Sequence, residues 1–172
     1  MVPACLHVIY WSDLNAVTRE DIENNRRIYF EAVQEMVRIG APQIDRFVLI
    51  SSAGLDRVKP EYSDYLKDVL AWKKKGELSL KASGVPYSIV RAYSLNNESE
   101  DAGEEFTVAV FQGDPDGVAA LITRKDLGEV AVEALLADST KNATFEVGNA
   151  RKNFMVGILA VHCISKFRRQ SG

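Results

Sequence analysis

The chain has 172 residues, of which 21 are Lys or Arg and 24 are Asp or Glu, so its formal net charge is −3 with both histidines neutral. Hydrophobic residues make up 47% and charged residues 26%, which is typical of a soluble domain and excludes a disordered or low-complexity chain. Because a nucleic-acid-binding protein needs a clustered basic surface, this balance also argues against nucleic acid as a partner.

The two cysteines and two histidines are too few and too far apart for a disulfide framework or a zinc site. Cys5 and Cys163 indicate a reducing compartment. The opening segment is apolar but lacks the basic residues of a signal peptide, and we interpret it as a strand. The longest apolar stretch, residues 154–164, is too short for a membrane-spanning helix, which needs about 20 residues. We therefore expect a soluble protein with no transmembrane segment.

In the first half of the chain, short apolar runs alternate with stretches whose apolar residues recur at helical spacing. The pattern predicts strand, helix, strand, helix and strand at Leu6–Trp11, Arg19–Ile39, Arg46–Ser52, Tyr62–Ala82 and Tyr87–Arg91. The continuous apolar character of the strands predicts that they are buried, with helices covering both sheet faces. Gly40 and Pro42 are expected to end the first helix.

The second half begins with a polar, acidic segment, Leu95–Gly103, which predicts a loop. Two short strands, a helix, a strand and a final helix are then predicted at Phe106–Phe111, Val118–Ile122, Arg124–Ala137, Ala143–Val147 and Asn153–Arg169. A turn over Gly113–Gly117 separates the two short strands. Together the two halves predict one α/β domain, residues 1–172, with a parallel sheet and right-handed crossovers.

Ligands of parallel α/β sheets bind beyond the carboxyl ends of the strands. In this chain those positions are Tyr10, Trp11, Ser51, Ser52, Ala53, Arg91, Ala92, Tyr93 and Ser94. Serines at strand ends more often cap turns than act as nucleophiles. Since the chain has no GxSxG motif to activate Ser51 or Ser52, acyl transfer is not expected.

Lys73 interrupts an apolar stripe on the second predicted helix. The stripe consists of Leu66, Val69, Leu70, Lys73, Gly76, Glu77 and Leu80. Because a buried, unpaired ammonium is costly, Lys73 should face a wet cleft or have a partner, for which Glu77 is one candidate. Spacing alone leaves a second interpretation open, in which Lys73, Lys74 and Lys75 form a solvated face and Glu77 is a surface charge.

Six segments in this order carry a resemblance to a known family: Phe47–Gly54, Trp72–Glu77, Ala82–Arg91, Phe111–Asp114, Ile122–Gly128 and Ala143–Val147. They resemble the atypical short-chain dehydrogenase/reductases, which are the NmrA-like and NAD(P)H-binding-like Rossmann proteins. Within that family they are most similar to cyanobacterial and plastid members, including those combined with a complex-I-intermediate-associated domain. The resemblance implies a three-layer Rossmann-like fold and NADP or NAD as cofactor.

The resemblance also implies roles for the strand-end residues. Ser52 and Lys73 match catalytic positions, and both also belong to the implied cofactor-binding set. The rest of that set is Tyr10, Trp11, Ser51, Ala53, Arg91, Ala92, Tyr93 and Ser94.

Two departures from the family pattern weaken the expected chemistry. The glycine-rich GxxGxxG turn that holds the cofactor pyrophosphate occurs nowhere in the sequence. The residue four positions before Lys73 is Val69 instead of the family's tyrosine, which is the proton donor. The first strand here matches the family's fourth, so we expect a truncated domain that lacks the leading glycine-rich βαβ half. Cofactor binding should be weak or lost, and redox catalysis weak or absent.

The missing half implies an unpaired outer edge on the strand Leu6–Trp11. We expect this edge to pair with a second copy in a homodimer, with a partner protein, or with a rearranged local segment. An alternative function is therefore a non-catalytic assembly or interaction module derived from a Rossmann fold. From the cysteine content and the resemblance to plastid members we expect a location in the cytoplasm or the plastid stroma.

Overall fold

The computed structural model describes residues 6–11, 24–96, 106–113 and 121–151. The strands of this part are β1 (Leu6–Tyr10), β2 (Ile44–Ser52), β3 (Tyr87–Ala92), β4 (Ser94–Asn96), β5 (Phe106–Phe111), β6 (Leu121–Thr123) and β7 (Ala143–Arg151). The helices are α1 (Ala32–Gly40), α2 (Asp64–Ala82) and α3 (Arg124–Leu136). A π-helical turn, Arg27–Glu31, precedes α1, and a 3₁₀ turn, Asp138–Thr140, follows α3.

The strands form one sheet in the order β1-β2-β3-β7-β6-β4, with β5 also paired to β7. The pairs β1–β2, β2–β3, β3–β7 and β4–β6 are parallel, as the sequence predicts. Two further strands, β5 and β6, lie antiparallel to β7, so the sheet is mixed but mostly parallel. An apolar run predicts a strand but carries no information on the direction in which it pairs.

Helices cover both faces of this sheet. On one face, Val33 and Val37 of α1 and Leu80 of α2 pack on strand residues that include Phe47 and Ile89. On the other face, α3 packs on Val48, Ile50, Val90, Ala92, Phe145 and Val147. The predicted three-layer α/β Rossmann-like architecture is therefore confirmed, with an apolar core on each side of the sheet.

The two longer helices begin at side-chain caps. The Ser63 hydroxyl accepts a hydrogen bond from the Leu66 amide at 3.2 Å, and Thr123 Oγ1 accepts one from the Asp126 amide at 3.0 Å. Both caps satisfy amides that would otherwise lack partners in the first helical turn. Because Thr123 ends β6 and caps α3, the N-terminus of α3 lies at the carboxyl end of that strand.

The π-helical turn lies tightly against α2. The Ala32 amide donates to the Arg27 carbonyl five residues back, which marks the widened turn. Gly76 of α2 contacts this turn so closely that a Cβ at this position would lie 2.1 Å from the Tyr29 carbonyl oxygen. Glycine at residue 76 therefore permits the close approach of the two elements.

Two further predictions on individual elements need correction. The predicted loop Leu95–Gly103 starts inside β4. The three residues of β4 pair with β6, which lies far along the chain. A strand this short has too few residues to show a periodic pattern. The first strand is not buried, since Leu6 is 41% and Ile9 45% exposed at the edge of the sheet.

Several predicted segments lie outside the described residues. They are the start of the first helix (19–23), most of the loop (97–103), most of the glycine turn (114–117), the beginning of the second short strand (118–120) and the final helix (153–169). Within the described ranges, no helix combines the length and apolar character needed to cross a bilayer.

Candidate functional site

A cavity of about 300 Å³ lies at the carboxyl ends of the parallel strands. Seven of the ten residues predicted from the sequence line it: Trp11, Ser51, Ser52, Lys73, Ala92, Tyr93 and Ser94. The strand-end rule therefore located this cavity, although the binding role of these residues stays a prediction. Tyr93 is held at the cavity by edge-on packing against Phe111, with ring centroids 6.0 Å apart.

Lys73 and Ser52 form the polar pair at this site. Lys73 Nζ donates a hydrogen bond to Ser52 Oγ at 2.7 Å, which joins α2 to the end of β2. The same ammonium lies 4.9 Å from the centroid of the Tyr29 ring, on the π-helical turn. An ammonium near an aromatic face gains electrostatic stabilisation, so the turn helps to position Lys73. Lys73 thus faces the cleft. This favours the interpretation in which Lys73 interrupts the apolar stripe to face a wet site over the one in which it belongs to a solvated lysine face.

Ser51 adds a buried hydroxyl to the cavity wall. The residue is only 4% exposed, and its Oγ has no hydrogen-bond partner among the described residues. A buried polar atom without a partner costs free energy unless something else satisfies it. A ligand hydroxyl or carbonyl in the cavity would supply that hydrogen bond.

Three of the predicted residues lie away from the cavity lining. The Tyr10 hydroxyl donates to the Ile28 carbonyl at 2.8 Å. The Ala53 amide donates to the Ala92 carbonyl at 2.9 Å, which continues the β2–β3 pairing. Arg91 lies in an ion network beneath the site. These contacts hold the neighbouring backbone in place.

The Arg91 guanidinium binds three carboxylates. It donates to both Glu77 oxygens at 3.0 and 2.7 Å, to Glu146 at 3.1 Å and to Asp56 at 2.6 Å. Burial alone would lower the pKa of Arg91, but the hydrogen bonds and charge of Glu77, and then of Asp56, outweigh it and raise this pKa above its usual value. The network joins β3, α2, β7 and the segment after β2.

This network corrects the expectations for Glu77. Glu77 is fully buried, so the interpretation of Glu77 as an ordinary surface charge is wrong. Its carboxylate pairs with Arg91, whereas Lys73 pairs with Ser52. Lys74 pairs instead with Asp56, and hydrogen bonds from Lys74 and then Arg91 hold the pKa of the Asp56 carboxyl below its usual value.

The chemistry of the site is limited by the residue one turn before Lys73. Val69 is apolar and buried, so it can neither donate nor accept a proton. Tyr65 precedes Lys73 by eight residues, about 12 Å along a helix axis. The Lys73–Ser52 pair can bind and orient hydroxyl or carbonyl groups, but α2 offers no phenol beside the ammonium.

Sequence reasoning missed four residues that line the cavity: Ile50, Leu95, Arg124 and Leu127. Arg124 is the first residue of α3, directly after the strand β6. Because β6 lies antiparallel to β7, the rule on the carboxyl ends of parallel strands does not single out Arg124.

Comparison with known proteins places the chain among cofactor-binding proteins. The sequence profile of a family described as NAD(P)H-binding matches residues 16–138. Sanguinarine reductase of Eschscholzia californica is 37% identical over 82 residues, which cover 48% of this chain and 30% of that protein. Protein TIC 62, chloroplastic, of Oryza sativa subsp. japonica is 28% identical over 133 residues, which cover 76% of this chain and 26% of that protein. The chain thus spans under a third of the length of these relatives.

Solved structures show the same fold. A protein described as an NAD-dependent epimerase/dehydratase from Bacillus halodurans superimposes with a TM-score of 0.69 at 24% identity, covering 84% of this chain and 64% of that one. A short-chain dehydrogenase/reductase superfamily protein from Agrobacterium tumefaciens, solved with bound NAD, gives a TM-score of 0.60 at 14% identity, covering 87% and 62%. At these identities the likeness concerns the fold alone.

The sequence profile carries the assignment, because it covers more than half of the chain and includes every cavity-lining residue except Trp11. It also agrees with the cofactor class, NADP or NAD, that the sequence resemblance implies. The chain belongs to the NAD(P)H-binding family.

Proposed function

We propose that this chain holds the nicotinamide-ribose end of NAD(P)H in an oxidoreductase-like domain, with weak or no redox catalysis of its own. The observation that supports this most is the hydrogen bond from Lys73 Nζ to Ser52 Oγ at the cavity. An ammonium and a hydroxyl side by side can donate to and accept from the hydroxyls of a ribose.

The donor set of the cavity fits part of the cofactor. Ser51, Ser52 and Lys73 offer hydroxyl and ammonium groups, and the buried Ser51 Oγ lacks a partner among the described residues. These groups suit the ribose and carboxamide end of a nicotinamide nucleotide. The pyrophosphate end would need closely spaced backbone amides, which the family obtains from a GxxGxxG turn. Since the sequence has no such motif, the expected affinity is low.

Bound NAD(P)H would supply hydride transfer, and this chain's residues would orient the nicotinamide nucleotide. Proton transfer to a reduced substrate needs an acid near the reacting atom. Val69 occupies the position where that acid would stand beside Lys73. We therefore expect this chain to bind the cofactor but to show little or no redox catalysis.

Calorimetric titration with NADPH and NADH tests the proposed binding. We expect a Kd on the order of 1 mM, which corresponds to about −4 kcal/mol. Lys73→Met should weaken binding at least tenfold because it removes the charged donor. Lys81→Met is the matched control, since Lys81 lies exposed in the last turn of the same helix, and it should change the Kd less than twofold.

Two results would contradict this proposal. Absence of heat with both cofactors at millimolar concentration would remove the binding function. Equal weakening by the Lys73 and Lys81 variants would mean that the ligand senses only the overall charge of α2.

A second candidate function is supported by the outer edge of β1. Within the described residues β1 pairs with β2 alone, and Leu6 and Ile9 are largely exposed beside the unpaired backbone groups. We propose that this edge receives a strand from a second copy or a partner protein, as in an assembly module. The rice relative, Protein TIC 62, is named chloroplastic, which supports a plastid and its stroma as the proposed location.

Size-exclusion chromatography and pull-down from a plastid extract test the β1 edge. Ile9→Lys should abolish the dimer or the captured partner, because the added charge opposes strand pairing. Lys73→Met should leave that association intact. A strictly monomeric chain that captures the same proteins with and without Ile9→Lys would exclude this function.

A further inference from the structure

A second cavity, of about 210 Å³, lies at the amino end of β7, away from the carboxyl strand ends that carry Lys73. Its walls come from the last turns of α3, the 3₁₀ turn that follows this helix, the start of β7 and the end of β5. The two cavities share no lining residue. A ligand can therefore occupy the second cavity without contacting Lys73 or Ser52.

The exposed lining of the second cavity is mostly apolar. Val110, Val130, Ala134 and Phe145 form much of this apolar wall. An apolar cavity of about 150 Å³ accommodates a benzene ring. The second cavity is somewhat larger, so it has room for one ring with a short substituent.

Glu133 gives the second cavity its negative charge. Among the described residues that line the cavity it is the only acidic one, and none is Lys, Arg or His. Glu133 is half-buried, and its carboxylate has no hydrogen-bond or ion-pair partner in the part of the chain that the structure describes. A carboxylate that is partly removed from water is costly unless a positive charge pairs with it. A cation in the cavity would supply that pairing.

One cation of the protein approaches the same end of α3 from the buried face of β2. Arg46 is only 5% exposed and does not line the second cavity. Its guanidinium donates to the carbonyls of Ala134 and Ala137, and the Asp138 carboxylate lies 3.8 Å from its Nη2. Because these acceptors already bind Arg46, the negative charge of Glu133 is not neutralised from within the described residues.

We propose that the second cavity binds a small organic cation that consists of one apolar ring and an ammonium group. The apolar wall contacts the ring, and the Glu133 carboxylate pairs with the ammonium. A hydrated inorganic cation gains nothing from the apolar wall, and a neutral ring gains nothing from Glu133. This site does not depend on the nucleotide binding proposed above, since it uses none of the same residues.

Calorimetry with benzylamine and benzyl alcohol tests this inference, because the two probes have nearly the same shape and only benzylamine is charged at pH 7. We expect benzylamine to bind with a Kd on the order of 1 mM and benzyl alcohol about fivefold more weakly. Glu133→Gln keeps the size of the side chain and removes its charge. It should weaken benzylamine binding about fivefold and change benzyl alcohol binding less than twofold.

Glu129→Gln is the matched control, since Glu129 lies one turn earlier on α3, is exposed and does not line the cavity. It should change the affinity for either probe less than twofold, and both glutamate variants should unfold at the temperature of the wild type. Equal affinity for the two probes, equal weakening by Glu129→Gln, or no benzylamine binding at all would each overturn the inference.

Amide chemical shifts in NMR spectra recorded during the benzylamine titration locate the ligand. We expect the largest shift changes at Ala134, Ala137 and Phe145, with little change at Ser51 and Ser52. The reverse pattern would place benzylamine in the cavity beside Lys73 and overturn the second site. Failure of NADPH to bind in a chain that gives the expected shifts would contradict the nucleotide function alone.

Discussion

At the scale of single residues, Arg91 shows how the chain supports a polar site on an apolar core. Its guanidinium is almost completely buried, together with Glu77 and Glu146. Two buried carboxylates and one buried cation would leave an excess negative charge, and the contact with Asp56 adds a third carboxylate from a half-exposed position. Lys74 pairs with Asp56 and balances part of this charge. Removing any one partner would therefore disturb several elements at once.

Asp56→Asn gives a pH-dependent test of this network. The pKa of Asp56 is lowered in the folded protein, so its stabilising effect is complete above the usual carboxyl pKa of about 3.9 and is lost as the pH falls through the lowered value. We expect the variant to lose about 0.5–1 kcal/mol of unfolding free energy at pH 6, since the carboxylate is half exposed and screened. Urea denaturation of both proteins between pH 6 and pH 3 measures this difference.

The difference should shrink as the pH falls below the usual carboxyl pKa and vanish only below the lowered pKa of the folded protein, where protonated Asp56 resembles asparagine. Asp45→Asn, which changes an exposed carboxylate on β2, serves as the control and should show little effect at either pH. A loss that persists unchanged at pH 3 would show that the Asp56 side chain acts through packing and not through its charge.

Single positions also show what the sequence can and cannot predict. Lys73 interrupts an apolar stripe on one helix, and this local pattern predicts that its side chain faces a wet cleft. The partners of Arg91 are 14, 35 and 55 residues away along the chain. No periodicity joins such positions, so Arg91 was expected at the cofactor, whereas the structure places it in the ion network. Arg124 likewise shares the cavity with Lys73 only because the fold brings the two layers together.

At the scale of elements, the π-helical turn and α2 form the support beneath Lys73. Gly76 lets the Tyr29 carbonyl approach α2, and the Tyr29 ring lies under the ammonium. A π turn inside a helix often marks a functional site, because its wider backbone redirects a side chain. The position of Lys73 thus depends on a contact between two helical elements as well as on its own helix.

Gly76→Ala should destabilise the protein by about 1–3 kcal/mol, because the added Cβ forces the Tyr29 carbonyl away and overpacks the contact. Alanine would otherwise favour a helix over glycine by about 1 kcal/mol. Gly128→Ala is the matched control in α3, where a Cβ meets nothing within 4 Å, and it should stabilise by roughly 0.5–1 kcal/mol. Thermal and urea unfolding of the two variants measure both effects. Stabilisation by both substitutions would show that the close contact at Gly76 carries no constraint.

The elements differ in how well the sequence predicts them. The start of helix α2 is predicted within two residues, because a long apolar stripe follows it. Strand β3 follows a Ser-Gly-Val-Pro turn and is also predicted closely. In contrast, β4 has three residues, and the π turn differs from an α-helix by one hydrogen-bond step. Neither feature leaves a pattern in the sequence that separates it from its surroundings.

At the scale of the whole molecule, the three layers follow from continuous apolar strands that need cover on both faces. Arg46 links the sheet to the helix layer that contains α3. From the buried face of β2 it donates to the carbonyls of Ala134 and Ala137, at 3.1 and 3.0 Å, at the C-terminal end of α3. A cation at this end of a helix also interacts favourably with the helix dipole. This tertiary contact anchors the helix whose other end carries Arg124.

Trp11 follows β1 directly and forms part of the cavity wall, while the outer edge of the same strand has no paired strand among the residues that the structure describes. A strand that hydrogen-bonds to this edge would pair directly before Trp11 and so restrict the backbone that carries its indole. Occupancy of the edge and occupancy of the cavity are then thermodynamically linked, and each must change the affinity of the other by the same factor. A companion chain could in this way tune how strongly the cavity retains its small molecule without touching it.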